Sequence, residues 1–260
     1  MTRVPAEALA AVRAVEAALG LEGVAAVLSG SAVDGALRPN SDVDVLVVVE
    51  DAPDADARRR LAAALMAVSG RYGAGGPVRP LDVTLVCRGD VVPWRYPPRQ
   101  AFAYGEWLRA AYEAGAGPEP ALHPDLAIVL AQARASGVAL QGPVLRALLD
   151  PVPEADLRRA LRDALPALLA DLYGDERNVL LTLARMWHTA ATGAFVPKDA
   201  AAAWAAPRLP ADLGVWLELA GRAYVGACED DWRDQRAEAA AVAERLRREV
   251  ALACGDVVGG

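Results

Sequence analysis

Asp42 and Asp44 stand two residues apart where the apolar run VDVLVVV begins. Side chains at i and i+2 of a strand share one face, roughly 7 Å apart along the backbone, so both carboxylates can close on one cation. Oxygen-only donors of this kind suit magnesium, which keeps positions for water and substrate phosphates. A third acid, Asp82, opens a second β-branched run, LDVTLVC, and an adjacent strand can bring it beside the first two. Three converging acids can hold two ions about 3.5–4 Å apart, which stabilises both the attacking and the leaving oxygens in phosphoryl chemistry. Upstream, Gly30-Ser31 follows a short apolar run, and a tight turn there lets backbone N–H groups and the Ser31 hydroxyl face triphosphate oxygens. Ser41, just before the first aspartate, can do the same. Alone, each piece is common: S-D-x-D is usually a capped turn and Asp82 a surface acid at a strand end. Together they are specific. Gly-Ser, ten intervening residues, D-x-D entering an apolar strand and an acid opening another strand point to magnesium-dependent nucleotidyl transfer.

These residues need a sheet to hold them. Helical spacing over Ala6–Leu19 ends at Gly20 and Gly23, and Val24 to Leu28 reads as a buried strand. Pro39 and Asn40 supply turn residues before the strand from Val43. Asp54 to Gly73 reads as a helix and Leu81 onward as a third strand. From Gln100 the apolar spacing predicts helices at 103–114, 126–135, 155–172, 176–192, 199–204, 213–228 and 230–253. The two prolines of DPVPEAD, 150–156, mark the seam. The expected architecture is α+β: a mixed-sheet domain, residues 1–152, followed by an all-α helical bundle, residues 153–260. WRYP, 94–97, is expected to connect the halves rigidly.

The 260 residues are 54% hydrophobic and 23% charged, a globular composition. No apolar run is long enough for a membrane span, and Glu7 and Glu16 interrupt any signal-peptide core, so a cytoplasmic protein is expected. Three widely spaced cysteines, Cys87, Cys228 and Cys254, fit neither a disulfide framework nor a zinc knuckle. A net charge of −7 argues against nucleic acid and favours a cationic small molecule. Lys198 is the only lysine among 27 basic residues. A compact ammonium is suited to phosphate, although chance survival at an exposed site accounts for it equally well. His123 and His188 have no partner at ligand spacing and read as structural.

The motif from Gly30 to Val49 resembles nucleotidyltransferases of the DNA polymerase β type. Through VVPWRYPPRQAFAYGEW, DPVPEADL, GDERNVLLTLARMW and TGAFVPKDAAAAWA, almost the whole chain resembles the aminoglycoside (3″)(9) adenylyltransferases, which inactivate streptomycin and spectinomycin. The resemblance implies ATP contacts from Ser31, Ser41, Arg185, Lys198 and Tyr224. It implies magnesium ligation by Asp42, Asp44 and Asp82, with Asp82 also the catalytic base. It implies contacts to the cationic drug from Trp107, Asp171 and Asp175, the pair Trp107 and Asp171 going with streptomycin use. The family usually has glutamate at Asp82, and some relatives have histidine at Asn178. Transfer of AMP would need both halves, in an expected monomer.

Blander roles exist for several of these residues. Trp107 can be a packing residue, Arg185 a snorkelling arginine and Asp175 a helix N-cap. Two rival functions also fit the core: adenylylation of another metabolite or of a protein hydroxyl, and a catalytically silent binding or antitoxin module.

Overall fold

The computed structural model describes residues 4–20, 25–33, 37–38, 41–72 and 77–255. The chain forms two compact units, Met1–Val152 and Pro153–Gly260. In the first, α1 (Ala6–Leu19) buries Ala8, Ala11, Val12 and Val15, positions that recur at helical spacing, and stops at Gly20 with φ of 68°. Next come β1 (Ala25–Ser29), a 3-10 turn at Gly30–Ala32 and β2 (Val43–Val49). Asp54 caps α2 (Ala55–Val68) by accepting from the Ala57 amide at 2.7 Å. After β3 (Leu81–Cys87) come α3 (Arg88–Val91), β4 (Arg99–Gln100), β5 (Phe102–Gly105) and a 3-10 turn at Glu106–Leu108. The unit closes with α4 (Arg109–Glu113), β6 (Ala121–Leu122), α5 (Leu126–Ser136), β7 (Val138–Gln141) and α6 (Leu145–Leu148).

The main sheet has the order β5-β3-β2-β1-β7, while β4 and β6 form a separate ribbon. Strands β2 and β3 run parallel, joined through α2, and the other pairings are antiparallel. Both faces are covered, which is why β1 and β2 read as nearly continuous apolar runs. On one face Val43, Val45, Val47, Leu81, Val83 and Leu85 share a core with α1 and α2. On the other, Val27, Leu46, Val48 and Val86 meet Leu126, Leu130 and Leu145.

The second unit is helical: α7 (Glu154–Ala170), α8 (Glu176–Thr192), α9 (Lys198–Ala205), α10 (Ala211–Tyr224) and α11 (Arg236–Ala253). Helix α8 is its centre, with Val179, Leu180, Leu181, Leu183 and Ala184 fully buried and α7, α9, α10 and α11 packed around it. No helix among the described residues is long and apolar enough to cross a membrane.

Several boundaries differ from the expected ones. The helix expected over 103–114 is instead β5, a 3-10 turn and the short α4. Phe102 and Tyr104 alternate into the core at the sheet edge, and pairing with β3 outweighs the helical spacing of the alanines around them. β7 was hidden for a similar reason, being only four residues long. The helix expected to reach Gly73 ends at Val68, because the Ser69 hydroxyl is drawn to Glu106. Residues 230–235 stay outside α11, since Asp230 accepts from the Trp232 indole at 2.6 Å and from Arg177 at 2.8 Å. Helix α10 stops at Tyr224, just before Gly226 with its φ of 78°. WRYP lies inside the first unit, between α3 and β4, where Trp94 packs on the second core cluster; it is not an interdomain connection. Gly23, Val24, Pro39, Asn40 and Gly73 lie outside the described residues.

Candidate active site

One row across the sheet gathers the chemistry. In register, Ser29 stands opposite Asp44, Asp44 opposite Asp82 and Asp82 opposite Gly105. Cross-strand partners share a face with Cβ atoms about 5 Å apart, so the two carboxylates are immediate neighbours. They have the parity of Leu46, Val48 and Val86, but sit at the strand ends beyond that apolar patch.

Glycine shapes each end of the row. Gly30 has φ of 63°, and a Cβ built there would meet Asp44 Oδ2 at 2.0 Å, so the carboxylate lies where any side chain would stand. At the other end, a Cβ on Gly105 would fall 2.2 Å from the Trp107 indole. That indole thus fills the side-chain position next to Asp82, while Trp107 remains 56% exposed. Its backbone is a 3-10 turn, not the expected helix.

Beneath Trp107 lies a sealed polar knot. Glu106 and Arg109 are both buried and form an ion pair. Glu106 Oε2 also accepts from the Tyr104 hydroxyl at 3.0 Å and the Ser69 hydroxyl at 3.2 Å. Arg109 donates to the carbonyl of Met66 at 3.0 Å. A buried ion pair is stable only with its remaining polar atoms satisfied, and here the satisfaction ties the Trp107 turn to the end of α2.

Asp42 lies just outside β2. The Tyr72 hydroxyl donates to its Oδ2 at 2.7 Å. Partial burial, the charge of Asp42 and this hydrogen bond raise the Tyr72 phenol, so it stays a donor. Burial first, then the charges of Asp44, Asp42 and Asp125, raise the Asp82 carboxyl well above the usual carboxylate range. Asp125 immediately precedes α5. Ser41 is buried, and its Oγ accepts from the Arg38 amide at 3.0 Å while its own amide donates to Arg38 O. Ser31 is half-buried within the 3-10 turn after β1.

No three acidic, histidine or cysteine side chains among the described residues stand together as a ready cage for an ion. The donor chemistry still fits magnesium. The carboxylates of Asp42, Asp44 and Asp82 are all oxygen donors, and after burial the charges of Asp44 and Asp42 act together on the Asp82 carboxyl.

In the second unit, the Lys198 ammonium donates to Asn178 Oδ1, and Asn178 Nδ2 donates to Asp175 Oδ2 at 2.8 Å. The Lys198 Nζ also lies 5.9 Å from the centre of the Tyr224 ring. Arg185 is two turns beyond Asn178 on α8 and therefore on the same face. Asp175 occupies the N-cap position of α8 without capping it through its side chain. Asp171 ends α7 and is exposed. His188 is structural, its Nδ1 lying 3.2 Å from Ala194 O and its ring edge-on to Trp204.

Tyr72, Asp125 and the Glu106 knot have no signal in the sequence. Tyr72 follows a helix end and is thirty residues from its partner, so no local spacing betrays it. Glu106 was legible only as one more charge beside a tryptophan.

A strand, a tight Gly-Ser turn and a strand carrying D-x-D, with a third acid in register, define the catalytic domain of a nucleotidyltransferase. The nucleotidyltransferase domain family matches residues 12–72, and the C-terminal domain family of aminoglycoside adenylyltransferases matches residues 147–249. The chain is 46% identical to the spectinomycin 9-adenylyltransferase of Staphylococcus aureus over 248 residues, 95% of each. It is 45% identical to the aminoglycoside (3″)(9) adenylyltransferase of Escherichia coli over 205 residues, 78% of each. A crystal structure of the spectinomycin adenyltransferase AAD(9) of Enterococcus faecialis with ATP and spectinomycin superposes with a TM-score of 0.89 at 32% identity, covering 94% of this chain and 98% of that one. The chain belongs to the spectinomycin and aminoglycoside (3″)(9) adenylyltransferase family, and it is an adenylyltransferase.

Proposed function

We propose that this enzyme transfers AMP from ATP to one hydroxyl of spectinomycin and one of streptomycin, releasing pyrophosphate and inactivating both drugs. The observation that carries the reading is the row Asp44, Asp82 and Trp107 side by side: a nucleotide-activating acid, a base and an aromatic platform. The named activities of the relatives support it.

Asp82 takes the proton from the drug hydroxyl as its oxygen attacks the α-phosphorus, and the bond from that phosphorus to the bridging oxygen of the β-phosphate breaks. Its place in register beside Asp44 sets it next to the acid that would meet the nucleotide. Asp42, Asp44 and Asp82 would hold magnesium, which when bound offsets charge on the phosphates. Ser31 and Ser41 border the strand ends where the nucleotide phosphates would lie. Lys198, held between Asn178 and the Tyr224 ring, supplies a compact cation for phosphate, and Arg185 lies on the same α8 face as Asn178. Trp107 offers an indole face to a cationic drug. Asp171 and Asp175 offer exposed carboxylates for its charged groups. The simultaneous presence of Trp107 and Asp171 favours streptomycin as a substrate beside spectinomycin. The net charge of −7 suits cationic substrates and a monomer.

The test is pyrophosphate release from ATP and magnesium with each drug. Both drugs are expected to trigger release, and Asp82→Ala is expected to bind ATP while releasing none. Release with neither drug points to a different acceptor hydroxyl, and full turnover by Asp82→Ala rules out the base.

A further inference from the structure

Tyr72 has an unusual position for a half-exposed aromatic residue. It is 49% exposed and belongs to neither apolar cluster of the first unit. Its hydroxyl nevertheless makes a direct 2.7 Å bond to Asp42 Oδ2, across thirty residues of chain. Both ends of that bond are anchored. On the Tyr72 side, the Ser69 hydroxyl oxygen accepts from the Leu81 amide at 3.0 Å and the Gly70 amide donates to Arg79 O at 3.0 Å. On the Asp42 side, the Arg79 guanidinium donates to Arg38 O at 2.7 Å and Ser41 O at 3.0 Å. Arg79 therefore links the two segments, and its own amide is fixed by Glu7 at 3.0 Å. The phenol reaches Asp42 from a prepared frame.

Asp42 precedes the first residue of β2 and so lies outside the ladder that aligns Asp44 with Asp82.

We propose that Tyr72 is a positioning residue for Asp42: its hydroxyl holds Oδ2 and so fixes the orientation in which the carboxylate would meet a divalent cation. This rests on the reading of Asp42 as a metal ligand. Hydrogen-bonding partners behind a metal ligand commonly contribute 10- to 100-fold in affinity or activity.

Mn2+ binding to the whole protein, followed by loss of the free-ion paramagnetic resonance signal, separates the two claims. Tyr72→Phe removes one oxygen and leaves the ring. It is expected to keep the melting temperature, weaken Mn2+ binding by about 10-fold and raise the magnesium concentration for half-maximal turnover by a similar factor. Its kcat at saturating magnesium and its KM for drug should stay near wild type. Asp42→Asn is expected to abolish the Mn2+ site. If Asp42→Asn binds Mn2+ as the wild type does, the ligand reading fails and the proposal with it. If Asp42→Asn loses the ion while Tyr72→Phe keeps wild-type affinity, the proposal alone is overturned.

Discussion

Replacing Gly105 by alanine adds one methyl group at the point where sheet and indole meet. The backbone there is extended, with φ of −145° and ψ of 158°, so alanine is compatible with the strand itself. The new Cβ would lie 2.2, 2.3 and 2.4 Å from three atoms of the Trp107 ring, against an ordinary carbon contact of about 3.5–4.0 Å. The indole must therefore retreat by roughly 1.5 Å or swing off the row, while the Glu106–Arg109 pair keeps the turn below it in place. A cation on an aromatic face contributes about 1–2 kcal/mol, so losing that platform lowers kcat/KM for streptomycin roughly 5- to 30-fold. Spectinomycin turnover should fall less, and the KM for ATP should not move. Steady-state pyrophosphate release with each drug reads all three, and a melting curve checks the sheet. Unchanged streptomycin efficiency would refute the platform argument. Equal loss with both drugs would show that the indole supports the sheet edge and does not select a substrate.

Two further outcomes follow from the acids and the lysine. Asp82 holds its proton more tightly folded than unfolded, so its stabilising contribution is complete below about pH 4 and is lost as pH rises through the raised value. In metal-free buffer, Asp82→Asn should therefore melt above the wild type at neutral pH, with the gap closing on acidification; parallel melting profiles would contradict this. Lys198→Met should lower kcat/KM for ATP by roughly 10- to 150-fold, the worth of one charged hydrogen bond of about 1.5–3 kcal/mol, with little change in drug KM. An unchanged ATP dependence would return Lys198 to the surface.

The sequence made the sheet centre readable because β2 and β3 are covered on both faces, and a strand buried twice over announces itself as a run of valine and leucine. The edge was another matter. β5 and β7 are four residues each, and their period-2 signal is drowned by alanine, which suits a helix at any spacing. Of the candidate residues, Asp42, Asp44 and Asp82 stood out by type and spacing in the first unit, and Lys198 by type in the second. Their supports did not, because the partnerships of Tyr72 with Asp42 and of Glu106 with Ser69 span thirty and thirty-seven residues. Long-range polar pairing leaves no periodic trace.

The register that sets Asp44 beside Asp82 is a case of local frustration. Six apolar residues, Val43, Val45, Val47, Leu81, Val83 and Leu85, gain about 1.5–3 kcal/mol each on burial and dictate the alignment. Two carboxylates whose Cβ atoms stand about 5 Å apart oppose it by up to roughly 3 kcal/mol at an effective dielectric near 20. The valines win, and a slip of one residue, which would part the acids, would also turn the apolar face outward. The core thus holds two like charges where neither would settle alone, and the reactive end of the sheet is the part its fold must restrain.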